Sequence, residues 1–255
     1  MSGVPIAVQG FFGKIPSHGD FVTRNLSREF IDPWDEWLQG SLAQSKTRLG
    51  DRWLDVYLTS PIWRFALTPG VCGRGAWAGL MMPSVDRVGR YFPLTIATSL
   101  PERGQPFQAA AYGDAWFRAT EALALRALDD DAFDAAALQS ALDAVTAIDL
   151  RALAQEALAH EALVTTADDW SLAMPGLVGP DLPVAVADRL VAHRTGSYSL
   201  WWTIGSDEIR PSALVVGGLP NPGSFAELMS ATWGAAEDDN TDSGRRGSLS
   251  DLVGP

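Results

Sequence analysis

Residues 77–98 read WAGLMMPSVDRVGRYFPLTIAT, and they place a polar loop between two of the most apolar runs in the chain. Residues 76–82 and 91–97 are short, hydrophobic and rich in large or β-branched side chains, which predicts strands buried on both faces. Between them lie Pro83, Ser84, Val85, Asp86, Arg87, Val88, Gly89 and Arg90. The proline stops the first strand and the glycine permits a turn. One carboxylate and two guanidinium groups thus gather where a sheet meets an exposed-looking loop, a usual place for recognition.

More strands are expected on both sides of this stretch. Trp63 to Leu67 reads as a strand that enters the centre through the turns Pro69-Gly70 and Gly73-Arg74-Gly75. After a helical block, 199–204 and 213–216 read as two more. One α/β domain over residues 1–233 follows, with a single central sheet, mixed or largely antiparallel, flanked by helices in a sandwich-like arrangement. Trp201 and Trp202 are then expected on opposite faces, because neighbouring strand residues point opposite ways.

Helices are marked by 3.6-residue periodicity. Asp32-Pro33 looks like a cap and first turn, followed by Trp34, Trp37, Leu38, Leu42 and Leu49 on one face and by Gly50 as a stop. Residues 53–57 continue as a shorter helix. Residues 106–128 predict a long helix interrupted near Gly113-Asp114, with Asp129-Asp130-Asp131 starting the next. That next helix would bury Phe133, Leu138, Leu142 and Val145. A further helix is expected over 150–163, a loop over 165–183, and short helices over 184–192 and 224–232. Residues 234–255 hold few large apolar side chains and are expected to form a disordered acidic and polar tail. Five of the ten tryptophans fall between Trp34 and Trp77, where they are expected to fill the core.

The chain has 255 residues and a net charge of −12. Residues 1–105 carry 11 Lys+Arg against 9 Asp+Glu, and the remainder 8 against 22, so the acidity is concentrated in the second part. Such a surface repels phosphate backbones and anionic lipid heads, which disfavours nucleic acid and membrane partners. No apolar run approaches the roughly 20 residues of a membrane span, and the opening MSGVPIAVQG has no signal-peptide pattern, so a cytoplasmic protein is expected. The lone Cys72 excludes an internal disulfide and reads as a small core filler, and three histidines leave little for metal binding. No cofactor and no metal are expected.

A second polar stretch, 8–22, contains three glycines, a proline and Ser17-His18-Gly19-Asp20 in a tightly turning loop. Lys14 after Gly10 and Gly13 does not make a phosphate loop, since Ile15-Pro16 breaks the required helix start. The loops 13–20 and 83–90 are expected to lie side by side. Lys14, His18, Asp20, Asp86, Arg87 and Arg90 are the candidate partner-binding residues, and Asp20 or Asp86 can pair with Arg87 or Arg90. The alternative is a polar pocket around His18, Asp20, Asp86, Arg87 and Arg90 acting on a small molecule or phosphorylated group. It lacks a nucleophile, metal set or cofactor loop, so no enzyme is expected.

Several strings together resemble a known family: GFFGKIPSHGDFV at 10–22, WDEWLQ at 34–39, WLDVYLTSPIWRFAL at 53–67 and GVCGRGAWAGLMMPSVDRVGRYFPLT at 70–95, with looser matches at SLWWTIG and GLPNPGSFAELM. The chain resembles the TagF family associated with bacterial type VI secretion. The resemblance implies a cytoplasmic, post-translational repressor acting through the forkhead-associated scaffold protein of the same system, on an α/β sandwich without established enzymatic activity. Some relatives carry a fused phosphatase domain, which is not expected here.

Overall fold

A computed structural model describes residues 7–101, 105–148, 150, 162–165, 170–173, 181–206 and 209–232. Seven strands form one sheet: β1 (Gln9–Gly13), β2 (Val22–Arg24), β3 (Trp63–Leu67), β4 (Trp77–Met82), β5 (Leu94–Ser99), β8 (Tyr198–Thr203) and β9 (Ser212–Gly217). Their order is β2-β1-β5-β4-β3-β8-β9 and every pair is antiparallel. The stretch 77–98 therefore supplies the middle strand and its neighbour, in register from Trp77 opposite Ser99 to Met82 opposite Leu94. The strands before and after the helical block share one sheet, as expected.

The inner strands β3, β4 and β5 are buried on both faces, which explains why they read as continuous apolar runs rather than alternating ones. Helices α1 (Arg28–Leu49), α2 (Trp53–Leu58) and α7 (Phe225–Ser230) cover one face; α3 (Pro106–Tyr112), α4 (Asp114–Asp129) and α5 (Ala135–Asp143) cover the other. The residues divide by strand parity. Phe12, Phe65, Met81 and Trp201 join the first core, while Phe11, Ala66, Leu80 and Ile96 join the second, with Trp202 packed against it. The opposed indoles of Trp201 and Trp202 match the expectation. At Gly79 the sheet comes so close to its neighbours that an added Cβ would lie 2.4 Å from the Phe65 ring.

The first core is built around Trp34, whose ring is stacked on Phe30 and Trp201 and tilted against Trp37 and Phe65. Burying an indole strands its N–H unless it finds an acceptor. Trp34 donates to Thr95 Oγ1 at 2.9 Å, Trp37 to the Pro220 carbonyl at 2.7 Å and Trp63 to the Leu228 carbonyl at 2.7 Å. The last two bonds tie α1 and β3 to the C-terminal segment around α7. Cys72 is fully buried, and burial pushes its thiol up to about 12, consistent with a filler rather than a nucleophile.

Several boundaries differ from the expectations. Helix α1 starts four residues before Asp32, capped by Ser27, whose hydroxyl accepts from the Phe30 N–H. Pro33 lies inside the helix; it removes one backbone bond, but starting at Arg28 buries Phe30 and Ile31 on the same stripe as Trp34 and Leu38. Strand β5 begins at Leu94 instead of Tyr91, which makes only an isolated bridge to Val85. The cap of α5 is Asp134, accepting from the Ala136 and Ala137 N–H groups at 2.9 Å, so Phe133 precedes the helix. The expected break between α3 and α4 occurs at Gly113.

The larger corrections lie in the segment after α5. Ala162–Thr165 and Trp170–Ala173 form the antiparallel pair β6 and β7 where a helix end and a loop were expected. Helix α6 (Asp181–Thr195) starts inside that expected loop, because Pro183 suits a first turn. The rest of the expected helix 150–163 and the tail 234–255 fall almost wholly outside the described residues.

Candidate functional site

The loops 13–20 and 83–90 do lie side by side. Gly13 ends β1 with φ +135°, where an added Cβ would meet the Pro93 carbonyl at 2.1 Å; only glycine fits this approach. The second loop is pinned from beneath by Tyr57, which donates to the Ser84 carbonyl at 2.9 Å and accepts from its N–H at 3.0 Å. Ser84 Oγ in turn donates to the Lys14 carbonyl at 2.6 Å. At the outer rim the Arg87 N–H donates to the His18 carbonyl at 2.9 Å, and the Arg90 guanidinium to the Gly19 carbonyl.

Asp86 is the hub of this arrangement. Its Oδ1 accepts from the Val88 N–H at 3.0 Å and the Arg90 N–H at 2.9 Å; its Oδ2 accepts from Lys14 Nζ and Arg90 Nε, both at 2.7 Å. Burial works to raise its pKa. The Lys14 ammonium outweighs it together with the Arg90 N–H and guanidinium and the Val88 N–H, and the carboxyl is held well below the usual range. An ionised carboxylate with four donors already in place has no ready lone pair for proton abstraction. Lys14 is equally committed. It is 4% exposed, and its ammonium also lies 5.0 Å from the centroid of the Phe21 ring.

The six candidate residues therefore divide. Lys14 and Asp86 are buried, correcting the expectation that this polar loop is exposed throughout: the pair braces one loop against the other. Arg90 belongs to the brace through one edge of its guanidinium, while its side chain stays 55% exposed. Arg87 and Asp20 are exposed. Asp20 Oδ1 accepts the Phe21 N–H at 2.8 Å, and His18 Nδ1 lies 3.2 Å from Ser17 Oγ, so both make the local bonds of a turning loop. Among the described residues no ion pair joins Asp20 to Arg87 or Arg90. Asp20, Arg87 and Arg90 sit on an open face.

Sequence reasoning missed Tyr57, Ser84, Phe21 and Val88 as parts of this face. Tyr57 is 27 residues from the loop that it pins, so no local signal reveals it. Phe21, 45% exposed, follows Asp20 directly, and its ring lies 4.8 Å from that of Phe92 and 5.8 Å from that of Phe12. Val88, 65% exposed, is the apolar residue at the tip of the second loop.

Two other polar clusters sit on the opposite face of the sheet. Arg64 of β3 is buried and makes a two-pronged bond to Glu121, Nε to Oε1 at 2.6 Å and Nη2 to Oε2 at 2.9 Å, with Nη1 on Asp114 at 3.0 Å. Asp188 of α6 accepts from the Phe107 and Gln108 N–H groups and the Tyr198 hydroxyl. Each ties a helix to the sheet. Among the described residues no group of three or more His, Cys, Asp or Glu side chains converges to hold a metal, and no described helix is long and apolar enough to cross a membrane.

A search of curated proteins gave no match to this chain. Among solved structures, the crystal structure of PA0076 from Pseudomonas aeruginosa PAO1 is similar. It has 34% identity and a TM-score of 0.74, covering 93% of this chain and 100% of that one. Residues 10–145, which contain both loops and five of the seven strands of the sheet, match the model of the TagF N-terminal domain, described as type VI secretion system-associated. The chain belongs to the TagF family of type VI secretion system-associated proteins.

Proposed function

We propose that this chain is a cytoplasmic protein-binding regulator that represses type VI secretion after translation, by engaging the forkhead-associated scaffold protein of the same system. The observation that carries a binding module over an enzyme is the state of Asp86, which is saturated by four donors and beneath an open surface. Such a carboxylate is suited to hold two loops in one shape and poorly suited to chemistry. The contact surface would be the face made by the loops 13–20 and 83–90. His18, Asp20, Arg87 and Arg90 reach the partner there, while Lys14 and Asp86 keep the face rigid from below.

The test is capture of the scaffold protein by the purified full chain, together with secretion measured in cells that overproduce it. Capture with reduced secretion is expected. Failure to capture the scaffold, with secretion unchanged, would overturn the proposal.

A further inference from the structure

The braced face carries an uneven distribution of charge and apolar surface. On the two loops Lys14 and Asp86 cancel one another, which leaves Arg87 and Arg90 against the carboxylate of Asp20, with the Asp134 carboxylate nearby, within electrostatic reach of His18 and Arg24. Among the described residues no carboxylate lies within ion-pairing distance of Arg87, whose guanidinium lies over Gly19. Arg90, half-exposed on the same loop, donates to the Gly19 carbonyl. In a chain of net charge −12, the two exposed guanidinium groups of this loop are a local attraction for an acidic partner.

Apolar anchors flank these charges. The Val88 N–H is 3.0 Å from Asp86 Oδ1, and Lys14 Nζ, 2.7 Å from Oδ2, stands over the Phe21 ring, so the brace connects the two residues that carry these exposed apolar side chains. Phe21 is held by Phe12 and Phe92, and Val88 by the turn that Asp86 closes. Side chains fixed before binding lose little conformational entropy on contact.

We propose that the face formed by Phe21, Arg87, Val88 and Arg90 receives an acidic segment of a partner protein. A carboxylate of that segment pairs with Arg87, and a neighbouring apolar side chain packs on Phe21 and Val88. The inference rests on the reading of this chain as a protein-binding module and adds the chemistry of what it binds. The planar, exposed guanidinium of Arg87 suits a carboxylate, and the half-exposed Phe21 ring on the adjoining loop supplies apolar contact area.

The test has two arms on the full chain, with Arg87→Glu, Val88→Asp and, as a control of equal charge change outside the two loops, Arg52→Glu. In the first arm a synthetic peptide carrying one leucine among glutamates, and its lysine counterpart, are titrated against isotope-labelled protein while amide shifts are followed. The acidic peptide should perturb residues 13–21 and 84–92. Arg87→Glu and Val88→Asp should weaken it at least about tenfold, and Arg52→Glu should leave it within about twofold. In the second arm the same proteins are titrated with the scaffold protein by calorimetry, with the same ranking expected. No perturbation of this face by the acidic peptide, or equal binding of the basic one, overturns the inference whatever the scaffold does. So does a scaffold titration in which the parent chain binds and all three variants match it. Acidic-peptide binding as expected without scaffold binding sinks the proposed function and leaves the inference standing.

Discussion

Asp188 allows a quantitative test of how the helices are tied to the sheet. Its Oδ1 accepts from the Phe107 N–H at 3.0 Å and the Tyr198 hydroxyl at 2.5 Å, and its Oδ2 from the Gln108 N–H at 3.3 Å, so one carboxyl joins α6, α3 and β8. Burial pushes its pKa from 3.8 up to about 6, against the pull of those three donors. The native chain therefore keeps a proton that the unfolded chain releases, and stability falls as pH rises through that window. Full ionisation in place costs about 3 kcal/mol, of which about 2 kcal/mol develops between about pH 4.5 and about pH 7.5. Asp188→Asn keeps the shape and removes the titration. Its amide turns an NH2 toward one of the donors, a penalty of about 1–3 kcal/mol that does not vary with pH. Urea unfolding of both proteins at the two pH values should show the variant gaining about 2 kcal/mol on the parent chain as pH rises. A difference that stays constant to within about 0.5 kcal/mol would refute the assignment of a buried, proton-holding carboxyl.

Arg64→Met should cost about 3 kcal/mol in urea unfolding, because Glu121, largely but not fully buried, is left without its partner, and adding Glu121→Leu should recover much of the loss. Gly13→Ala should lower the melting temperature measurably, since its Cβ has no room beside Pro93, whereas Gly50→Ala, at a helix end with nothing within 4 Å, should lose less. Lys14→Met should lower the melting temperature far more than Arg87→Ala, because only Lys14 is built into the Asp86 brace; equal losses in the two would undo the division of the loop into brace and contact surface.

The central strands were legible because burial on both faces removes the need for alternation, and an apolar run bounded by Pro83 on one side and Gly75 on the other has few other readings. The tryptophans were legible as core for a similar reason: their spacing in α1 matches one helical stripe. Pro33 misled because its local signal for a helix start is strong. That signal was outweighed by Phe30 and Ile31, whose burial depends on a sheet formed by distant residues. The pair β6 and β7 was missed because alanine-rich sequence around it favours helix, and Ala162–Thr165 is too short to assert a period of its own.

The site shows the same limit in a sharper form. That the two polar loops should meet could be argued from their ends, which apolar segments fix on neighbouring strands. Which charges face water could not, because burial of Lys14 is decided by Asp86, 72 residues later, and burial of Asp86 by the four donors that converge on it. A lysine and an aspartate are expensive to bury singly and tolerable together when each is fully hydrogen-bonded. Bracing and binding are therefore not rival roles for this loop. Spending one ion pair on rigidity fixes the backbone of both loops. Arg87, whose side chain has no such duty, is then presented beside Val88 on a loop fixed against the one that carries Phe21, and a partner that binds there need not first order the surface it meets.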